Sequence, residues 1–224
     1  MKHLSYIKMA VAVVAVLLGL ASCSETDDTV DEYPDWQNKN EAFFNSKYNA
    51  ARQQVANGST EWKIFKSYAR DGSTSDSPTD YILVKVIRNG SGSGCPLFTD
   101  TVRAHYRGQL LASATHVDKR DSELGYVFDK SWSSDEFDER ISVPSKLAVG
   151  GMIDGFSTAL QHMHIGDRWL VYIPYQLGYG TSGSTKIPGY STLVFDIALA
   201  AYYRPGKVVP AWTANEASLW EEME

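Results

Sequence analysis

The chain has 224 residues, 43% of them hydrophobic, with 21 basic and 27 acidic side chains and a net charge of −6. The apolar fraction suffices for one cored domain with appendages. The acidic balance argues against a nucleic-acid binder, which needs a basic face. Only two cysteines are present, so a disulfide framework is excluded.

In chain order, Lys2, His3 and Lys8 precede an apolar run from Met9 to Leu20. That run is short for a membrane span and suits a secretory signal over residues 1–22. It ends in Leu20-Ala21-Ser22-Cys23, which resembles a bacterial lipobox and marks Cys23 for lipidation. The alternative is an ordinary signal peptide with an incidental cysteine. Residues 23–34 contain SETDDTVDE, an acidic run that cannot fold by itself and reads as a tether. It resembles the export signal on surface lipoproteins of Bacteroides-type bacteria. With Cys23 lipidated, no second cysteine remains for a disulfide to Cys95, which is either a buried thiol or a reactive one.

Residues 35–60 are expected to be helical, with Asp35 as N-cap and Asn57-Gly58 as the stop. Trp36, Phe43, Phe44, Tyr48 and Ala51 fall on one stripe. That stripe either packs on its own domain or pairs two copies of the chain. Residues 61–204 read as one α+β domain. Strands are expected at 61–68, 81–88 (YILVKVIR) and 101–111, where Val102, Ala104 and Tyr106 share a face. Val127 and Phe128 are expected to end a loop, and a strand over 141–149 is interrupted by Pro144. A helix is expected over 153–161, then a turn at Gly166-Asp167 and strands over 168–173 and 192–203. Residues 205–224 form a tail, with a short acidic helix expected over 214–222. The stretch LASATHVDKRDSELG, over 111–125, is either a functional loop or a solvated excursion.

Conventional chemical motifs are missing. His162 and His164 lack the cysteine or carboxylate spacing of a metal site. GGMIDG lacks the lysine of a phosphate-binding loop. No Ser-His-Asp set is ordered by a recognisable motif.

Four blocks supply a more specific signal: VRAHYRG, YVFDKSW, the run from Gly150 to Gly180 containing GGMIDGFSTAL and LGYG, and IPGYSTLVFDIAL. In order and rough spacing they resemble the FKBP family of peptidyl-prolyl cis-trans isomerases. The resemblance covers roughly Tyr81 to Arg204. It implies a twisted antiparallel half-barrel sheet wrapped around one short helix, here with an N-terminal helical extension.

It also implies an aromatic pocket. Tyr106, Phe128, Asp129, Tyr179 and Phe195 match the family's catalytic positions. Met152, Ile153, Phe156 and Ile187 match its substrate-binding positions, with a backbone amide near Ile153 available to a substrate carbonyl. Phe156 stands where many members have Trp. Ser145 or Leu147 replaces an aromatic residue, and Gly189 stands where a second Pro is common. Trp132 either adds a rim to the pocket or packs under the 111–125 insert.

Rotation about an X-Pro bond breaks no bond in the reactant, so no cofactor and no metal is implied. Expected partners are proline-containing polypeptides, macrolide inhibitors, a membrane through the lipid anchor, and a second copy through the N-terminal helix. The expected location is the bacterial cell envelope. A binding or chaperone module with weak turnover, and a scaffold subunit of a surface assembly, are the alternatives.

Overall fold

The computed structural model describes residues 30–74 and 76–212. The apolar run over 9–20, Cys23, most of the acidic tether and the acidic helix expected over 214–222 lie outside the described residues. Helix α1 spans Trp36–Ala56. Asp35 precedes it but does not cap the backbone; it sits at φ 51° and its carboxylate accepts from the Asn38 side chain at 2.6 Å. The carboxy end follows the expected stop. Gly58, at φ 80°, donates its N–H to the Val55 carbonyl, and Ser59 donates to Gln54. This left-handed exit satisfies carbonyls that the last turn would otherwise leave without donors.

The strands are β1 (Trp62–Lys66), β2 (Tyr81–Arg88), β3 (Thr101–Leu111), β4 (Leu124–Lys130), β5 (Ser145–Ala148), β6 (Arg168–Ile173) and β7 (Leu193–Tyr203). They form one seven-stranded sheet in the order β1-β2-β6-β7-β3-β4, with β5 paired to β3. Every pairing is antiparallel. Register shifts in β2–β6, β3–β4 and β3–β7 mark bulges, which add twist to the sheet. Helix α2 spans Asp154–Leu160.

Register and contacts put the two helices on opposite faces. Gly155 of α2 lies against Ile173, and Phe156 against Phe195. A Cβ at Gly155 would sit 2.3 Å from an Ile173 methyl, so the close approach of helix to sheet requires glycine. On the other face, Phe43 and Tyr48 of α1 meet Tyr172 and Tyr81. Burial on both sides explains why Ile82, Leu83 and Val84 are consecutive and all fully buried. The stripe on α1 is used within this domain: Trp36, Phe44 and Ala51 join the core cluster. Between them Asn40 accepts from the Thr192 amide at 2.8 Å.

Three expectations change. Phe128 and Asp129 lie inside β4, which begins at Leu124; its bulged register and polar lead-in hid the strand. The strand expected over 141–149 is only Ser145–Ala148, because the proline at 144 lacks a backbone donor. Ile141 and Val143 before it are exposed. On β3, Val102, Ala104 and Tyr106 do share a face, but the opposite face is covered too. Arg103 and His105 are buried there, with His105 against Phe137.

The insert is ordered. Ala112 donates to the Glu123 carbonyl and Asp118 to that of Leu124, which extends the β3–β4 hairpin. The Asp118 carboxylate accepts from Arg107 at 2.6 Å and from Gln109 at 2.8 Å. Burial works to raise the Asp118 pKa, but hydrogen bonds from the Arg120 amide, Gln109 and Arg107 outweigh it and bring it to about 2. Among the described residues, no helix is long and apolar enough to cross a membrane.

Candidate functional site: an aromatic pocket on the sheet

A cavity of about 600 Å³ opens between the concave face of the sheet, α2 and the loop before β7. Its wall begins with a chain of edge-to-face rings, the arrangement aromatic quadrupoles favour. Phe156 meets Phe195 at 5.0 Å between centroids, Phe195 meets Phe128 at 5.4 Å, and Phe156 meets Tyr106 at 6.0 Å. The three phenylalanines are buried, as core residues would be, yet each also lines the cavity. Their packing depends on Gly108, which pairs with Phe195 across β3–β7. A Cβ at that position would lie 2.4 Å from the Phe128 ring and 2.6 Å from that of Phe195.

The polar side of the cavity is small. Tyr106 Oη donates to Asp129 Oδ2 at 2.8 Å, and the Lys130 amide donates to Oδ1 at 2.9 Å. Both carboxylate oxygens are thus oriented, although the residue faces solvent. Burial, reinforced by the Asp129 carboxylate, pushes the Tyr106 hydroxyl up to about 12, so it stays a donor across the physiological range. Tyr179 borders the opening and is 40% exposed.

Met152 and Ile153 enter the lining at the amino end of α2, where Ile153 is the residue before the first helical turn. Ile187 closes the far wall, and its N–H and carbonyl pair with Ser184 to fold the loop tip. The structure therefore brings every residue singled out for the pocket to one cavity. It adds Gly151, Ser184, Thr185 and Lys186, which the residue pattern had not singled out. Exposed polar residues in a loop carry no periodic signal, and only the folded loop shows that they face the cavity.

The departures from the family pattern have local explanations. Leu147, not Ser145, supplies apolar lining where an aromatic residue is common. Gly189 packs so closely on Thr181 that a Cβ would lie 1.9 Å from its carbonyl oxygen, so this loop geometry excludes proline there. Tyr190 follows at φ 64°, a costly conformation for a bulky residue, and its ring is held edge-on against Tyr175 at 5.2 Å. Trp132 neither rims the pocket nor packs under the insert. It is buried against Phe137, on the other face of the sheet.

The two histidines near the end of α2 diverge. His162 stacks on Phe65 at 4.0 Å, while His164 Nδ1 lies 2.8 Å from the Gly94 carbonyl and 3.3 Å from Cys95 Sγ. Among the described residues, no group of three or more His, Cys, Asp or Glu side chains is placed to hold a metal ion.

Residues 96–200 match the family model for the FKBP-type peptidyl-prolyl cis-trans isomerase. The chain is 36% identical over 131 residues to the macrophage infectivity potentiator of Trypanosoma cruzi, covering 58% of this chain and 57% of that one. It is 37% identical over 116 residues to the FKBP-type 22 kDa peptidyl-prolyl cis-trans isomerase of Escherichia coli, covering 51% and 47%. A probable FKBP-type 25 kDa isomerase of Pseudomonas aeruginosa is 36% identical over 125 residues, covering 55% and 45%. The chain thus spans about half the length of the curated relatives it matches. Helix α1, β1 and β2 precede the matched segment. Residues 96–200, which carry the ring cluster and the loop around it, are thus the part of the chain that matches the FKBP-type peptidyl-prolyl cis-trans isomerase family.

Proposed function

We propose that this chain is a peptidyl-prolyl cis-trans isomerase acting on exported, proline-containing polypeptides. The observation that carries the reading is the aromatic cavity inside the family segment, with a single oriented carboxylate at its edge. An X-Pro bond isomerises without help in roughly 10–100 s. Its barrier reflects amide resonance, about 18–20 kcal/mol for a peptide bond. In the twisted transition state carbonyl and nitrogen are decoupled, and the amide is less dipolar than in the planar ground state. A dry aromatic cup disfavours the planar form more, so binding becomes differential, which is what accelerates a reaction.

In this scheme the proline ring sits against Phe156, between Phe128 and Phe195. Met152 and Ile187 border it, the Ile153 amide and Tyr179 hydroxyl hold carbonyl oxygens, and Asp129 faces the rotating carbonyl. A thousandfold acceleration asks for about 4 kcal/mol of such differential binding. The reaction consumes nothing, so no cofactor is required. Macrolides that mimic the twisted amide would compete for the same cup.

The leader over 1–22 and Cys23 support an envelope protein held by lipid, with the acidic run as tether. Two or more acyl chains would anchor it stably, whereas one is marginal. The use of the α1 stripe within its own domain favours a monomer over pairing through that face.

The test is turnover of a short X-Pro peptide by the full chain, with and without a macrolide. Phe128→Ala is expected to abolish measurable catalysis and to cost about 3–5 kcal/mol of stability, as truncation of a buried ring does. Asp129→Ala, at an exposed position, is expected to cut turnover strongly with little change in stability. Wild-type turnover in both variants removes this site assignment. A second reading, a binding module with little turnover, draws on Leu147 in place of the usual aromatic lining. It predicts that Asp129→Ala still retains envelope clients in a pull-down.

A further inference from the structure

A second cleft, of about 440 Å³, lies directly beside the pocket. Ser184, Thr185, Lys186 and Ile187 bound both, so the folded loop tip stands between them. The far side of this cleft comes from residues that the isomerase scheme leaves unused. Tyr33 arrives from the chain before α1, and His116 and Tyr126 arrive from the insert and β4. The rings are prearranged: His116 sits edge-on to Tyr126 at 5.4 Å, and Tyr33 edge-on to Trp36 at 4.8 Å. Trp36 is itself fixed by its indole N–H donating to Ser191 at 2.9 Å.

Glu32 locks the two segments together. Its carboxylate accepts from the Thr115 hydroxyl and amide and from the Ser113 hydroxyl, and lies 3.0 Å from His116 Nδ1. Its backbone carbonyl accepts from the Ala114 amide at 3.1 Å. These bonds hold its pKa down to about 2, with His116 the largest contributor. The carboxylate is therefore committed to the loop, and what the cleft offers an occupant is mainly ring surface with one lysine.

We propose that this cleft is a second subsite for the client polypeptide, binding an apolar or aromatic side chain a few residues from the proline held in the pocket. The proposal rests on the isomerase reading of the pocket. Three facts select this occupant. The cleft adjoins the pocket across a shared loop tip, within reach of a chain bound in the pocket. Its walls are tyrosine, imidazole and proline faces, which suit apolar and aromatic groups. It is held open by a built network instead of by one mobile side chain, so little ordering is needed on binding. The N-terminal segment and the insert would thus select among clients, while the pocket performs the rotation.

The experiment compares a tetrapeptide with a central X-Pro bond to peptides lengthened by four residues on either side, carrying Phe or Gly in the added segment. With the full chain, a Phe-bearing extension on one side is expected to raise kcat/KM about tenfold through KM, a gain of about 1.4 kcal/mol. The Gly extension is expected to give little. Tyr126→Ala and Tyr33→Ala, which lie on different segments, are each expected to erase that gain while leaving the tetrapeptide rate within about twofold of wild type. Equal kcat/KM for all peptides, or a loss in both variants that is the same for short and long substrates, overturns the subsite. If no peptide is turned over, the isomerase reading fails separately. Fluorescence anisotropy of the same peptides then decides the cleft: affinity that depends on the Phe extension and on Tyr126 supports it, and indifference to both overturns it.

Discussion

The pocket and the collar beside it, formed by Glu32, Tyr33 and the 112–123 loop, are neighbours built by different physics. The pocket is held mainly by ring packing: Phe128, Phe156 and Phe195 meet over Gly108, and polar contacts such as Tyr106 to Asp129 are few. The collar is held almost wholly by hydrogen bonds and ion pairs, through Glu32, Asp118 and the Lys47–Glu123 pair. Packing tolerates volume-conserving change but not added bulk. A polar network tolerates neither loss of a donor nor loss of charge when its members are buried. The pocket should therefore be sensitive to steric intrusion, and the collar to loss of the charge at Asp118, whose side chain is only 8% exposed.

The largest expected effect sits in the pocket. Gly108→Val would force the Phe128 and Phe195 rings apart, and a displacement of this kind can cost about 100-fold in turnover. A peptide assay checks it, and near-normal turnover would mean that the ring spacing is not what the reaction depends on. The next effect separates both regions from the far face of β3 by acid. Burial depresses the His105 pKa to about 4; Glu139 opposes this weakly and Arg88 adds to it. The unfolded chain takes its proton as pH falls through about 6.5, while the folded chain cannot do so until about 4, so roughly 3 kcal/mol of stability is lost across that window. Glu32 and Asp118, both held near 2, remain ionised there, so the collar stays paired while the core weakens. Denaturant melts at pH 7 and pH 4.5 should show this slope in the wild type and a flatter one in His105→Met.

Asp118→Asn removes the charge that gathers Arg107, Gln109 and Arg120, and is expected to cost about 2 kcal/mol while sparing tetrapeptide turnover. An equal loss of activity would show that pocket and collar are one unit. The smallest effect is Trp36→Phe, which deletes the indole donor to Ser191 and should lower stability by about 1 kcal/mol. In the same variant, a long-peptide advantage that shrinks would tie this bond to the posture of Tyr33.

The same contrast explains what could be read from the residues. The pocket was legible because its members stand in compact local blocks such as HYRG and VFDKS, and because the elements expected over 153–161 and 168–173 form as Asp154–Leu160 and Arg168–Ile173. The boundaries of β2 and β3 were legible from dense β-branched and alternating residues. The collar was not, since Glu32 meets residues more than 80 positions away and a carboxylate in an acidic run looks like any other. The start of β4 was hidden by bulged pairing, and the site of Trp132 by Phe137, which belongs to a loop without pattern. The reason for Gly189 lies in a backbone approach that only the folded loop reveals.

One consequence of the Glu32 clamp is mechanical. If the chain is tethered upstream, any tension arriving along it reaches these hydrogen bonds before it reaches α1 or a strand. Gathered on one residue, they would give way together, and the 113–116 loop would be released while the sheet stays intact. A pull on the leash would then loosen the proposed subsite and leave the ring cluster of the pocket untouched.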